Sequence, residues 1–230
     1  MSPAQRLKVA GATAAFAGVV LAGMFLTSPR GRAQDRGDGA DSRIEQGFDI
    51  APVPLNLEGK NRALVGLGSY IVNAQSGCNG CHSAGPATEF APKGNPYFNQ
   101  PEKINPATYL GGGRVFPPIA PPPSPPIVSR NLTPDKTGRP EGGHTFAEFV
   151  QIIRTGVDMD HRHPNCSATV TTNCFPPVPP FDGDLLQIMP WPTYQHMTDH
   201  DFRAIYEYLS AIPCIDTIVP GQPQLRNDCQ

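Results

Sequence analysis

Three stretches of the chain carry apolar residues at helical spacing. Between Asn61 and Ser76, Leu64, Leu67 and Ile71 fall on one stripe. Gly68 lies on the same face, where the missing side chain would let a second helix approach closely, and Gly77 ends the segment. From Thr145 to Thr155 the pattern is sharper. Thr145 and Glu148 form a capping-box pair, Phe146, Phe149, Val150 and Ile153 line one face, and Gly156 stops the helix. A third helix is predicted from Asp199 to Ala211. Thr198 and Asp201 cap it, Phe202, Ile205, Tyr206 and Leu209 form its stripe, and Pro213 ends it.

Between these helices the pattern breaks down. Residues 87–143 read as irregular, because Gly111-Gly112-Gly113 and the run from Pro117 to Pro126 hold neither helix nor central strand. That run reads as a stiff loop, with an exposed polyproline segment for a partner as the alternative. Residues 34–60 are polar and charged, with little periodicity, and predict a flexible tether leading to an extended arm. At the start, Arg6 and Lys8 precede an apolar run from Val9 to Leu26, and Gly31-Arg32-Ala33 supplies small residues before Gln34. Residues 1–33 therefore read as an export signal. The run also approaches the ~20 residues that span a bilayer, so an uncleaved membrane anchor is the alternative. Either way the rest of the chain lies across the membrane from the cytoplasm.

Composition sharpens this picture. With 28 Pro and 23 Gly among 230 residues and 39% hydrophobic content, much of the chain is loop and the core is modest. The formal net charge is −2, and no basic stripe is visible, which excludes a nucleic-acid partner.

Chemistry concentrates at Cys78-Asn79-Gly80-Cys81-His82. A Cys-x-x-Cys-His run is the attachment signal for a c-type haem. Two thiols at this spacing can form thioethers with both vinyl groups of one porphyrin, and the adjacent imidazole then serves as the proximal iron ligand. A bound haem would also supply the apolar surface that so loop-rich a chain needs. Two other readings lack support: a thioredoxin-like pair wants a preceding strand and a βαβ context, and a zinc site wants a second ligand pair at matching spacing. One motif implies one covalent haem. The other four cysteines allow three pairings; Cys166 with Cys174 and Cys214 with Cys229 is the sequence-local choice, and disulfides agree with an oxidising compartment.

The iron's second ligand is open among Met159, Met189, Met197, His144, His161, His163, His196 and His200. Met189 is favoured because Pro190 and Pro192 stiffen the loop that carries it, just before the last helix, with Trp191 placed to close the pocket edge. For any Met the competing role is gap-filling core. His161 and His163, without a third ligand, read as a solvated loop. Behind His82, a carbonyl at Gly85-Pro86, Pro86 by preference, could accept the proton of the other ring nitrogen; the alternative is an ordinary turn. Phe149 could pack on the porphyrin or serve as plain core. Asn131-Leu132-Thr133 matches a glycosylation sequon, a match without meaning in a bacterial export context.

Taken together, the pattern resembles class I cytochrome c. More narrowly, it is similar to the haem-c domains of bacterial periplasmic electron carriers and of the cytochrome subunits of alcohol and gluconate dehydrogenases. The resemblance is carried by Gly68-Ser69-Tyr70-Ile71-Val72, the haem motif, Ser129-Arg130-Asn131-Leu132-Thr133-Pro134-Asp135, Phe149 with Ile153-Arg154-Thr155-Gly156, Met189-Pro190-Trp191-Pro192-Thr193-Tyr194, Met197-Thr198-Asp199-His200-Asp201 and Ala204 to Leu209. It implies an all-α fold of three or more helices around one haem, with long Pro/Gly-rich loops. First and last helices would cross near Gly68 and Tyr206, and His82 and Met189 would be the axial ligands. The cytochrome domain would span 61–213, with a tail at 214–230. The dehydrogenase subunits often carry several haem motifs where this chain has one, and the Cys166/Cys174 loop and the tail are additions to the minimal domain.

The function expected is one-electron transfer in the periplasm, between a redox-protein donor and acceptor, rather than catalysis. A membrane dehydrogenase or terminal oxidase is a candidate partner. The alternatives are a haem-bearing subunit of a membrane-associated dehydrogenase or oxidase, and, behind it, an open-site haem enzyme or gas sensor. Membrane contact is expected only through an uncleaved amino-terminal segment.

Overall fold

The computed structural model describes residues 42–117, 126–159, 184–216 and 228–230. The amino-terminal apolar run, most of the Pro-rich run, His161, His163, Cys166 and Cys174 lie outside the described residues. Helices dominate: α1 (42–49), α2 (Arg62–Tyr70) continuing as a π-helical turn (Ile71–Gln75), the short α3 (Asn79–His82), α4 (Phe146–Thr155), the short α5 (Trp191–Tyr194) and α6 (Asp199–Leu209). One antiparallel pair, β1 (Val115–Phe116) with β2 (Ile127–Val128), is the only sheet among the described residues. This helix-rich content is compatible with the all-α expectation.

The two capping boxes form as the sequence implies. Thr145 and Glu148 exchange side-chain and backbone bonds at the start of α4, as do Thr198 and Asp201 at the start of α6. Gly156 closes α4 in the left-handed conformation (φ 71°), which a residue without Cβ adopts without strain. Helix α6 ends at Leu209, two residues before the expected stop, with Ser210 as its C-cap.

Helix α2 packs across α6 with almost no side chain between the two backbones. A Cβ on Gly68 would sit 1.9 Å from the Ala204 carbonyl oxygen, so only glycine fits. Leu67 and Ile71 bury against Ala204 on either side of the contact, while Val65 and Val72 face the main core with Phe202, Tyr208 and Leu209. The contact involves Ala204 and Tyr208, not Tyr206 as the resemblance implied. Two residues turn an α-helix by roughly 200°, so Tyr206 faces away from it. Its ring stacks edge-on against Phe146, with centroids 5.4 Å apart, and its hydroxyl donates to the His144 carbonyl at 2.9 Å.

The π-turn directs Asn73 into a buried polar cluster. Asn73 Nδ2 donates to the Ser69 carbonyl (3.0 Å) and to the Tyr208 hydroxyl (3.2 Å), and Tyr109 donates to Asn73 Oδ1 (2.5 Å). The Tyr109 and Tyr208 hydroxyls are 2.7 Å apart. Bonded to one another, these groups can be buried without the cost of an unmet donor or acceptor.

The expected tether corrects in part. Residues 42–49 are helical and docked, while 50–60 are irregular: a Cβ on Gly47 would meet the Gly66 oxygen at 1.8 Å, and Ser69 Oγ donates to the Gly47 carbonyl at 2.6 Å. Arg62 lies over the Phe48 ring at 4.1 Å. At the other end, Cys214 and Cys229 form a disulfide. Ile215 is held by Asn131 Nδ2, which donates to its carbonyl at 2.7 Å, and by its own N–H donating to Thr133 Oγ1 at 3.0 Å.

Gly68→Ala is expected to lower stability by about 3 kcal/mol or more, the upper end of overpacking costs, because the obstructing atom is backbone. Denaturant melts of the two proteins measure it; a loss below about 1 kcal/mol would mean the helices can separate freely.

Candidate haem-binding site

The π-turn and Gly77 (φ 57°) reverse the chain into α3, with the Cys78 N–H donating to the Val72 carbonyl at 3.2 Å. His82 N–H donates back to the Cys78 carbonyl at 2.9 Å, closing one helical turn. At this spacing Cys78 and Cys81 stand on one helical face. Both thiols and His82 line a single cavity of about 240 Å³. Its remaining walls are mostly apolar: Phe149 and Ile153 from α4, Phe202, Ile205 and Leu209 from α6, Val128 from β2 and Leu132 from the segment after it.

A second layer of backbone holds the motif. The Gly112 N–H donates to the His82 carbonyl at 2.7 Å, Leu110 N–H to Asn79 Oδ1 at 3.0 Å, and the Arg114 guanidinium to the Gly80 carbonyl. Gly112 (φ 70°) passes so near Arg130 that a Cβ there would lie 2.5 Å from its carbonyl. The glycine run that excluded regular structure thus lets two strands of loop close around the motif.

His82 Nδ1 lies 2.9 Å from the carbonyl oxygen of Arg130. A carbonyl only accepts, so Nδ1 carries the proton and Nε2 is the nitrogen left to bind a ligand. The Pro86 carbonyl, one of the two roles open to the Gly85-Pro86 turn, is not the partner used. The Gly112–His82 bond draws the 129–131 segment beneath the imidazole instead. Burial is the main influence lowering the His82 pKa, and it keeps the ring neutral as iron ligation requires. Burial likewise pushes the Cys78 thiol up to about 12, whereas Cys81 is exposed. Arg130 itself pairs with Asp158 at 2.5 Å, with side chains 11% and 3% exposed.

Of the candidates for the second ligand, Met189 and Met197 line the cavity. Met159, His144, His196 and His200 do not line it, and His161 and His163 lie outside the described residues. The loop carrying Met189 is anchored by Leu186 N–H donating to the Gly156 carbonyl (2.6 Å) and by a bridge between Val157 and Leu185. Ile188 has φ 67°, a conformation that a β-branched residue enters only under constraint, immediately before Met189. Trp191 does not close the pocket. It covers Gly156, where a Cβ would lie 2.3 Å from the indole, and Pro190 and Tyr194 line the cavity in its place. Phe149 serves both as core and as cavity wall.

The sequon is buried, with Asn131 4% exposed and Thr133 fully covered. Asn131 Oδ1 accepts from Thr133 N–H (2.9 Å) and from its hydroxyl (2.7 Å), making a turn that shapes the segment under His82. The roles of Arg130, Asp158 and Asn131 escaped the sequence reading, although Ser129 to Asp135 stood among the residues carrying the resemblance.

These residues fit a covalently held haem. Two thiols on one face, a neutral imidazole with Nε2 available, an apolar wall and a thioether supply meet in one cavity. Among the described residues, no three His, Cys, Asp or Glu side chains group closely enough to hold a metal ion instead. No protein-family model matches the chain, and no solved structure does. The chain is nevertheless a distant relative of cytochrome c proteins. It is 27% identical over 146 residues to the cytochrome c subunit of alcohol dehydrogenase (quinone) from Gluconacetobacter polyoxogenes, and equally to that from Komagataeibacter europaeus. The matched part is 64% of this chain and 21% of each relative, so the chain spans about a fifth of the length of these curated relatives.

In protein made without haem attachment, iodoacetamide is expected to label Cys81 near neutral pH and to leave Cys78 as thiol until strongly alkaline pH, because only the thiolate reacts. Peptide mass spectrometry across a pH series reads this directly; equal labelling at neutral pH would show that Cys78 is not buried.

Proposed function

We propose that the chain is a one-electron carrier holding a single haem c, attached through Cys78 and Cys81 and ligated by His82 and Met189 in the class I cytochrome c arrangement. The observation carrying this reading is the one cavity lined by both thiols, the imidazole and Met189. Bound there, a haem supplies a ferric/ferrous couple, and a Met thioether raises its potential. The chain's own residues do the rest. Arg130 fixes the His82 tautomer through its carbonyl. Phe149, Ile153, Phe202 and Leu209 exclude water, and the hydrogen bonds on the 187–191 loop limit how far Met189 can move: Met189 N–H donates to the Gln187 carbonyl at 2.7 Å and Trp191 N–H to the Met189 carbonyl at 2.8 Å. With His82 and Met189 both holding the iron, no open site would remain for substrate, so the protein would transfer electrons and not itself catalyse a reaction. The haem unit takes in the helix at 42–49 as well as residues 61–213. The chain works in the periplasm, with residues 1–33 as export signal or anchor and redox proteins as donor and acceptor.

A second reading, the haem-bearing subunit of a membrane-associated dehydrogenase, is favoured by one observation: the relatives are named as cytochrome c subunits of a quinone alcohol dehydrogenase. Among the described residues no helix is long and apolar enough to cross a membrane, so any anchoring falls to the segment before residue 42. Isolation of the native protein with residues 1–33 retained and a dehydrogenase attached would favour this reading over the free carrier.

The test is optical. The wild-type protein is expected to show the weak far-red band of Met-ligated ferric haem and to ignore carbon monoxide when reduced. Met189→Ala is expected to lose the band and bind carbon monoxide, whereas Met197→Ala keeps the wild-type spectrum. Should the two variants exchange behaviours, Met197 is the ligand; a wild type that binds carbon monoxide ends the carrier reading.

A further inference from the structure

Two large aromatic side chains stand side by side in water. Tyr97 is 85% exposed and Phe98 is 74% exposed. Scattered exposed apolar residues, such as Val115 and Ile188, are ordinary on a protein surface, but an adjacent pair of rings marks a contact site. Their exposure does not come from a loose loop. Residues 89–105 fold back on themselves: Ala91 N–H donates to the Lys103 carbonyl (2.8 Å), Lys103 N–H to the Gly94 carbonyl (2.9 Å) and Asn105 N–H to the Glu89 carbonyl (3.0 Å), with a bridge between Phe90 and Ile104. A Cβ on Gly94 would lie 2.6 Å from the Lys103 side chain, and the Phe90 ring meets Tyr97 edge-on at 6.2 Å. The tip is a single 3₁₀ turn, Pro96–Phe98, closed by Asn99 in the left-handed conformation (φ 58°).

The amides of this tip are met from within. Asn95 N–H donates to Gln100 Oε1 at 3.1 Å and Tyr97 N–H to Asn95 Oδ1 at 2.9 Å. Phe98 N–H donates to the Asn95 carbonyl and Asn99 N–H to the Pro96 carbonyl, both at 3.0 Å, and Pro96 has no N–H to place. In water none of this is required, because the solvent accepts from any exposed amide. At a lipid surface an unmet N–H is costly. A turn that points its rings outward and bonds its amides inward is suited to leaving water.

We propose that Tyr97 and Phe98 form a membrane-docking tip, which seats its rings at the headgroup level of the bilayer and holds the haem attachment turn at a fixed height above that surface. This rests on the reading that residues 1–33 hold the chain at a membrane. The apolar run ends at Leu26, and residues 27–41 can extend at most about 50 Å before helix 42–49, so a retained segment keeps the haem unit close to lipid. One anchor limits distance but not orientation; a second contact limits both. Two rings offer about 400 Å² of surface, about half of what one partner brings to a standard protein interface, so a protein or a second copy is the poorer match. A bilayer needs no complementary shape, and aromatic side chains settle at its interface. The charged residues of the excursion, Glu89, Lys93, Glu102 and Lys103, cancel, so the rings and not charge supply the contact. Glu89, at its root, lies beside the attachment turn: a Cβ on Gly80 would be 3.6 Å from its carboxylate.

Photocrosslinking to lipid tests this. The full-length, haem-loaded chain is reconstituted into phosphatidylcholine vesicles doped with a lipid carrying a diazirine near the top of one acyl chain, irradiated, and mapped by peptide mass spectrometry. Lipid adducts are expected on the tryptic peptide 94–103 as well as within residues 1–33. They are expected to persist at an ionic strength of about 1 M, where the screening length is about 3 Å. Tyr97→Ser combined with Phe98→Ser is expected to lower the adducts on 94–103 about tenfold or more, because each ring contributes its own burial, while the adducts in 1–33 and the haem spectrum stay as in wild type. Adducts confined to 1–33 overturn the proposal, leave the membrane reading standing, and assign the two rings to a protein partner. Adducts on Val115 or Ile188 in place of the tip put another face against the lipid and also overturn it, as do tip adducts that high salt abolishes. A chain with no adducts anywhere overturns the membrane reading and this proposal together.

Discussion

Backbone contact between α2 and α6 at Gly68 and Ala204 is the constraint on which the rest of the structure depends. Helix α2 hands the chain through its π-turn to Cys78, and α6 supplies Phe202, Ile205 and Leu209 to the cavity wall. The distance between the two helices therefore fixes the distance between the attachment thiols and the apolar surface facing them. One methyl group at residue 68 would alter both at once. The polar cluster of Ser69, Asn73, Tyr109 and Tyr208 sits behind this contact and gives the helices a fixed register, since its bonds tolerate little sliding.

Around this frame the cavity is assembled mainly by loops, and loops need partners for their backbone groups. The 110–114 segment bonds the attachment turn, the 129–133 segment bonds His82, and the carboxy-terminal segment at Ile215 bonds the 129–133 segment in turn. Each layer satisfies polar groups that the previous layer would leave buried and unmet. A chain rich in proline and glycine can build an apolar cavity in this way because these loop segments bond one another's backbone groups.

What the sequence made legible follows from where the information resides. Both capping boxes and the stripes of α4 and α6 were readable because local spacing determines them, and the attachment motif was readable because its chemistry needs five consecutive residues. Helix 42–49 was not, since Ile44 and Phe48 are the two apolar residues that mark its buried face, and its close approach is made at Gly47 and Gly66, which carry no side chain. The partner of His82 was hidden for a different reason. Every residue has a carbonyl, so no residue type marks Arg130, which lies 48 positions away. Trp191 misled because its size suggested a pocket lid, while its position two residues past Met189, at the start of α5, sets it over Gly156 instead. Met189 and Met197 both reach the cavity, a distinction that sequence spacing cannot draw.

The bonds between Asn131, Thr133 and Ile215 have a kinetic consequence. They connect residues more than eighty positions apart, with separations of 84 and 82. Contacts this distant form late, because a long loop must close before they give any return. The wall under His82 is therefore among the last parts of the fold to settle, well after α2 and the attachment turn can form. In the folded chain Cys78 is half-buried on the cavity wall, and burial pushes its thiol up to about 12. The attachment turn is local in sequence and the wall under His82 is not, so the proposed thioether chemistry would meet the two thiols before the carboxy-terminal segment has joined that wall.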